Sequence, residues 1–72
     1  MTVLAITSSV NSKIELIGCK TKDEALSKMK SLYDKKCHRS KYDINNTYLD
    51  EDECYAQIVD GLEQVEFRVG EM

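Results

Sequence analysis

Three cysteines and one histidine are the residues of this sequence that could hold a metal ion: Cys19, Cys37, His38 and Cys54. A zinc site in a small domain places two of its ligands about two to four residues apart on a tight turn. Here Cys37 and His38 are adjacent, and the other two cysteines lie far from them. The adjacency also argues against a Cys–His nucleophile, because consecutive helix side chains diverge by about 100°. The spacing therefore predicts no metal site and no bound cofactor.

Carboxylates are the second group that could do chemistry. The segment from Asp43 to Thr47 resembles the opening of a calcium-binding EF-hand loop. That loop needs glycine and glutamate at two later positions, where this chain has Tyr48 and Cys54. A pair of acids from the run Asp50 to Glu53 would suit glycoside hydrolysis, but so short a chain builds no cleft around them. The glycines are isolated, so no phosphate-binding loop exists. We expect a protein that is not an enzyme.

Length and composition limit the kind of protein that carries these residues. The chain has 72 residues, of which 42% are hydrophobic and 32% charged, with a net charge of −3. It is long enough for one small domain, residues 1–72, and too apolar for a disordered chain. The negative net charge argues against a nucleic-acid binder by bulk charge, and no apolar run is long enough to span a membrane. An odd number of cysteines with no secretory signal predicts reduced thiols in the cytoplasm.

One helix is predicted from about Lys22 to about Cys37. Thr21 and Glu24 have the spacing of a capping box, in which each side chain bonds the other's backbone N–H. Acids near the start and bases near the end suit the helix dipole. The apolar residues at helical spacing form one stripe that faces the core: Ala25, Leu26, Met29, Leu32, Tyr33 and Cys37.

Four strands are predicted around this helix. Residues 2–8 and 14–19 are strand-like and joined by a polar segment, which indicates a hairpin. A second hairpin joins residues 54–59 to an alternating strand, residues 64–69, through the turn dipeptide Asp60-Gly61. The sequence therefore predicts an α+β fold in the order ββαββ: an antiparallel sheet of about four strands with one helix on one face. Residues 39–52 are expected to form an irregular loop, held to the core by Tyr42, Ile44, Tyr48 and Leu49.

A sheet covered by one helix leaves its second face open. We expect the helix-facing residues to be Leu4, Ile6, Ile14, Leu16 and Ile58. The residues facing away would then be Val3, Ala5, Ile17, Tyr55 and Val59. Such an apolar patch indicates an interface, with a homodimer that places Ile17, Tyr55 and Val59 at the contact as its commonest form. The alternative is that the loop of residues 42–49 covers the patch.

Charge is distributed unevenly along the chain. Residues 1–36 have seven lysines and four acids, whereas residues 37–72 have three bases and nine acids. The densest basic group, Lys35, Lys36, Arg39 and Lys41, is either a phosphate-contacting edge or a set of charges that complements the helix end. The acidic loop, Asp50, Glu51, Asp52 and Glu53, is either an ordinary solvated surface or a surface that attracts a basic partner.

Much of the chain resembles a group of known proteins. The segment Lys13 to Ala25, with its Thr-x-x-Glu-Ala helix start, and the segment Tyr48 to Val69 resemble small uncharacterised α+β proteins of gut bacteria, phages and mobile elements. Those proteins share a strand, this helix start, an acidic loop and a last hairpin with an aromatic-Arg-Val strand. The resemblance implies a role that is common in that lineage, which is direct binding that inhibits a host or defence protein, as with anti-CRISPR proteins. It implies no catalytic residue.

These observations predict a non-enzymatic protein-binding module, with a phage or mobile-element inhibitor of a host or defence protein as one form. The partner would be another protein or a second copy of the chain, and the acidic loop would bind it. The alternative is a nucleic-acid-associated accessory protein that uses the basic segment 35–41. A cytoplasmic location and no membrane contact are expected in both cases.

Overall fold

Five strands and one helix make up the part of the chain that the computed structural model describes, residues 1–10, 14–39, 41–61 and 63–71. In chain order they are β1 (Thr2–Ser8), β2 (Ile14–Cys19), α1 (Lys22–Arg39), β3 (Tyr48–Asp50), β4 (Tyr55–Asp60) and β5 (Glu63–Glu71). The strands form one sheet in the order β2-β1-β5-β4-β3, and every neighbouring pair is antiparallel. The helix packs on one face of this sheet, mainly over β1, β5 and β4. The predicted α+β class is therefore confirmed, and the order of the elements along the chain is ββαβββ rather than ββαββ.

The additional strand, β3, lies in the segment that was predicted to be an irregular loop. It pairs with β4 through Tyr48, Leu49 and Asp50. Of the four residues expected to hold this segment to the core, only Leu49 packs there, whereas Tyr42, Ile44 and Tyr48 are exposed. That part of the prediction was wrong, because three residues are too few to show the alternation by which a strand is recognised.

The residues before β3 run along the edge of β4. The N–H of Asp43 donates to the carbonyl of Val59, and the N–H of Val59 donates to Oγ1 of Thr47 at 3.0 Å. The side chain of Ile44 is 75% exposed. Because β4 is separated from β1 and β2 by β5, this segment does not cover the apolar residues of β1 and β2.

Helix α1 begins as its sequence predicts. The N–H of Glu24 donates to Oγ1 of Thr21 at 3.1 Å, which is half of the capping box. The other half differs, because the Glu24 carboxylate accepts the N–H of Lys20 rather than that of Thr21. The predicted stripe packs on the sheet, with Ala25 and Met29 fully buried.

Strand β5 supplies the centre of the sheet. Val65 and Phe67 are buried against α1, and Glu66 and Arg68 point to the opposite face, as the alternation predicts. The turn before it includes Gly61, whose φ of 59° lies in the left-handed region that glycine adopts without strain. The core that results contains Leu4, Met29, Ala56, Ile58, Val65 and Phe67.

The register of β2 is opposite to the prediction. Leu4 pairs with Ile17, so Ile17 lies on the same face as the core, and it packs against the buried residues. Ile14 and Leu16 therefore point away from α1, and they are 68% and 57% exposed. Because the side-chain period of a strand is two, a one-residue error moves every side chain to the other face. The placement of Ile17 on the face turned away from α1 was wrong, and Leu16 occupies that place.

The alkaline limit of stability should depend on Tyr33. Burial, and then the neighbouring Cys37, raise the pKa of Tyr33 to about 12 from its usual 10.0. An unfolded tyrosine ionises as the pH rises past its ordinary pKa while the folded Tyr33 stays neutral, so stability is present below that pH and is lost as the pH rises toward 12. We expect the free energy of unfolding to fall over this range. Urea titrations at several alkaline pH values would measure the fall.

A Tyr33→Phe variant is the matched control. It removes the phenol and keeps the ring, so its free energy of unfolding should fall less steeply with pH. Burial also raises the pKa of Cys37, which leaves a residual slope of the same sign. Equal slopes in the two proteins would contradict the assignment to Tyr33.

Candidate functional site

The face of the sheet turned away from α1, called the open face below, joins an apolar half to an aromatic and charged half. Its middle row crosses all five strands through paired residues: Leu16, Ala5, Arg68, Tyr55 and Asp50. The next row follows the same path, through Ile14, Thr7, Glu66, Gln57 and Tyr48. Apolar side chains therefore occupy the β2 side of the open face, and Arg68 with two tyrosines occupies the β4–β3 side.

Arg68 lies at the centre of the open face. Its Nη2 is 3.0 Å from Oε2 of Glu66, and its guanidinium carbon is 5.0 Å from the centre of the Tyr55 ring. The Glu66 carboxylate raises the pKa of Arg68, and its Oε1 also accepts a hydrogen bond from Nε2 of Gln64 at 3.2 Å. A guanidinium above a phenol ring gains a cation–π attraction, and this attraction occupies none of its N–H donors. The site thus presents a charged, planar donor whose orientation is fixed by two neighbours.

Tyr55 is held from a second side. Its hydroxyl donates to Oε1 of Gln57 at 2.8 Å, and Nε2 of Gln57 donates to the carbonyl of Asn46 at 2.6 Å. The ring of Tyr48 lies 5.8 Å from that of Tyr55 at an angle of 48°. Tyr48 is 46% exposed, so one aromatic face in this pair remains in contact with solvent. Burial, and then Glu66, raise the pKa of Tyr55.

The acidic loop lies beside this aromatic pair. An open cleft of about 410 Å³ separates them, and its lining residues include Tyr48, Asp50, Glu53, Tyr55 and Arg68. Oδ1 of Asp50 accepts the N–H groups of Asp52 and Glu53, so this carboxylate shapes its own turn. The cleft therefore brings together two acids, two tyrosines and one arginine.

Cys54 ends the acidic loop in a strained conformation. Its φ is 53°, in the left-handed region, and its carbonyl accepts the N–H of Val69. A residue with a Cβ is disfavoured there by about 1–2 kcal/mol. The cleft is thus lined in part by a cysteine in a conformation that disfavours it.

We expect Cys54→Gly to raise the free energy of unfolding by roughly 0.5–1 kcal/mol, since the relief of strain exceeds the entropy that glycine adds to the unfolded chain. The matched Cys54→Val variant should lower it by about 1 kcal/mol or more, because a β-branched residue fits this region poorly. Urea unfolding of both proteins would measure the difference. A stability order with valine above glycine would contradict the argument.

The residues predicted for a dimer contact divide among three places. Tyr55 lies in the cleft, and Ile17 lies on the α1 side of the sheet. Val59 lies on the open face, opposite Gln64 and beyond the cleft. The site residues that the sequence analysis missed are Arg68, Leu16 and Tyr48. The alternation of β5 did direct Arg68 outward, but no sequence signal paired it with Tyr55.

The predicted basic residues lie at the end of α1 and after it. Lys36 is 3.3 Å from Oε1 of Glu63, and Oγ of Ser8 donates to the other oxygen of this carboxylate. These two contacts, the Ser8 hydrogen bond first, lower the pKa of Glu63. Lys35 and Arg39 line a groove beside α1, and Lys41 follows the helix as an exposed residue. The charges of Lys35, Lys36 and Arg39 thus lie on the opposite face of the sheet from the cleft.

The three cysteines are free thiols and lie in β2, in α1 and after β3. Among the described residues, no group of three or more histidine, cysteine and acidic side chains is placed to hold a metal ion. The EF-hand-like segment is a local turn, in which the Asp43 carboxylate accepts the N–H of Asn45 and the amide of Asn46. Within the same residues, no helix has the length and apolarity that crossing a membrane requires.

Comparison of the chain with protein-family models, with curated proteins and with solved structures gave no match.

Proposed function

We propose that the chain is a non-enzymatic protein-binding module that binds its partner with the open face of the sheet. One observation carries the proposal: Arg68, Tyr55 and Tyr48 lie together on the same face as the exposed Leu16 and Ile14. Tyrosine and arginine are enriched among the residues that dominate binding energy at protein interfaces, and apolar residues beside them exclude water.

The acidic loop adds a preference for a basic partner. Glu51, Asp52 and Glu53 are exposed, and Glu53 lines the cleft. Exposed charge of this kind raises encounter rates and fixes orientation. A lysine or arginine of the partner that entered the cleft would meet Asp50 and Glu53 as well as the ring of Tyr48. The proposed partner surface is therefore apolar in part and positively charged in part.

Two forms of partner fit this face. A second copy could place its own Leu16 against the first, which gives a homodimer at micromolar concentration, with Tyr55 near the contact. The other partner is a host or defence protein, in which case the chain is a phage or mobile-element inhibitor. Such an inhibitor needs only a surface that covers the working site of its target. A cytoplasmic location belongs to the proposal because the three thiols are unpaired with one another.

A charge-neutralised acidic loop tests the function. We expect the combined change Asp50→Asn, Glu51→Gln, Asp52→Asn and Glu53→Gln to weaken partner binding, and the loss should shrink as salt is added. Asparagine at position 50 keeps the oxygen that accepts the two turn N–H groups, and the other three positions are exposed. Melting temperature should therefore change little, and the dissociation constant at two salt concentrations is the measurement.

The alternative function, association with nucleic acid through residues 35–41, predicts the opposite pattern. Reversal of Lys35, Lys36, Arg39 and Lys41 to glutamate would abolish a salt-sensitive shift of DNA or RNA in a gel, and the neutral acidic loop would strengthen it. On the proposed function the basic reversal leaves partner binding unchanged. Binding lost only in the basic variant would contradict the proposal.

A further inference from the structure

The end of α1, β2 and the start of β5 form a groove on the face opposite the cleft. A helix with its side chains is about 10–12 Å wide, and neighbouring strands are about 4.8 Å apart, so one helix cannot cover a five-stranded sheet. Because α1 packs mainly over β1, β5 and β4, the inner side of β2 is only partly covered. The groove has a volume of about 500 Å³.

The floor of the groove is apolar. Ile6 and Phe67 come from the sheet, Ile17 from the partly covered strand β2, and Leu32 from α1. All four belong to the core or pack against it, so the floor is a rigid part of the fold. Phe67 is only 3% exposed, so an apolar chain on this floor would remove hydrophobic surface of Ile6, Ile17 and Leu32 from water.

The walls carry an excess of positive charge. Lys28, Lys35, Lys36 and Arg39 line the groove from α1, against the carboxylates of Glu15 and Glu63. Glu63 already accepts hydrogen bonds from Ser8 and contacts Lys36. Lys35 and Arg39 lie one turn apart on the same side of the helix, so their charges act on the same end of a ligand. Lys28 lies on that side too, but about 10 Å further along the helix axis.

We propose that this groove binds a small amphipathic anion free in solution. Its apolar chain lies on Ile6, Ile17 and Leu32, and its carboxylate head lies near Lys35 and Arg39. Small-molecule sites occupy roughly 300–1,000 Å³ and combine an apolar lining with a few convergent polar groups, as this groove does. The excess of cations selects an anion over a neutral or cationic chain. The site is separate from the open face and does not depend on the proposed protein partner.

Sodium decanoate, below the concentration at which it forms micelles, is the probe. Isothermal titration calorimetry should show saturable binding of one decanoate per chain, and the methyl resonances of Ile17 and Leu32 should shift in NMR spectra. Acetate supplies the carboxylate head alone, and decanol supplies the apolar chain alone. Each should bind at least about tenfold more weakly than decanoate. No saturable binding of decanoate would overturn the proposal.

Paired charge reversals locate the site. The double variant Lys35→Glu and Arg39→Glu should weaken decanoate binding by about tenfold, because two attractions become repulsions. The double variant Lys22→Glu and Lys30→Glu is the matched control, since both residues are exposed on α1 and do not line the groove, and it should bind decanoate as the wild type does. An equal loss in the control would show only a change of net charge and would overturn the proposal.

The floor is tested by Ile17→Thr, which keeps the branched shape and removes apolar surface. Decanoate binding should weaken at least threefold at a temperature where circular dichroism shows the variant folded. A short RNA or vesicles of anionic phospholipid that bind the wild type while decanoate does not would assign these cations to a different ligand, and would overturn the proposal.

Discussion

Met29→Ala should leave the chain largely unfolded at room temperature. Met29 is fully buried where α1 meets the sheet, and its truncation costs roughly 2–5 kcal/mol through lost burial and the cavity that remains. A domain of this size rarely has more than about 3–5 kcal/mol of stability in total. Circular dichroism and urea unfolding would measure the loss.

Met29→Leu is the matched control for that change. It conserves volume and should cost less than about 1.5 kcal/mol, so the variant should remain folded. If Met29→Ala lost under about 1 kcal/mol, α1 would contribute little to the core, and the fold as described would be contradicted.

Arg68→Ala should weaken partner binding by about 30-fold or more. Truncation of an arginine at the centre of an interface costs about 2 kcal/mol or more of binding free energy, and about 1.4 kcal/mol corresponds to tenfold in affinity. Its side chain is 65% exposed, so the variant should fold with little change in melting temperature. The dissociation constant, of the homodimer or of the complex with a second protein, is the measurement.

Arg68→Lys separates charge from shape. Lysine keeps the positive charge and loses the planar donors that lie over Tyr55, so it should recover only part of the affinity. If Arg68→Lys had the affinity of the wild type, charge alone would matter. If neither variant lost affinity, Arg68 would not be an interface residue.

Much of the fold could be predicted from local signals. The capping residues Thr21 and Glu24 fixed the start of α1, and the alternation from Val65 to Val69 fixed the faces of β5. The register of β2 could not be predicted in this way, because Ile14, Leu16 and Ile17 place apolar residues on both faces. Only pairing with β1 decides between them, and that pairing depends on tertiary packing.

The candidate site was predicted in pieces. The acidic loop and Tyr55 were both selected from sequence, but for separate roles, and the structure places them in one cleft. Arg68 joins them only because β5 pairs with β4 in a register that puts it opposite Tyr55. Cross-strand neighbours of this kind are set by the sheet as a whole, so no spacing in the sequence reveals them.

A photo-crosslinking amino acid in place of Tyr48 would test the open face most directly. Tyr48 is an exposed aromatic at the edge of the cleft, so the substitution should be tolerated, and the same reporter at Lys30 is the matched control on α1. Irradiation in the native host should give one dominant adduct at position 48, with a second 8.2 kDa chain or with another protein. The adduct should disappear when Arg68→Ala is added. Adducts of equal yield at position 30, or an adduct that survives Arg68→Ala, would contradict the account.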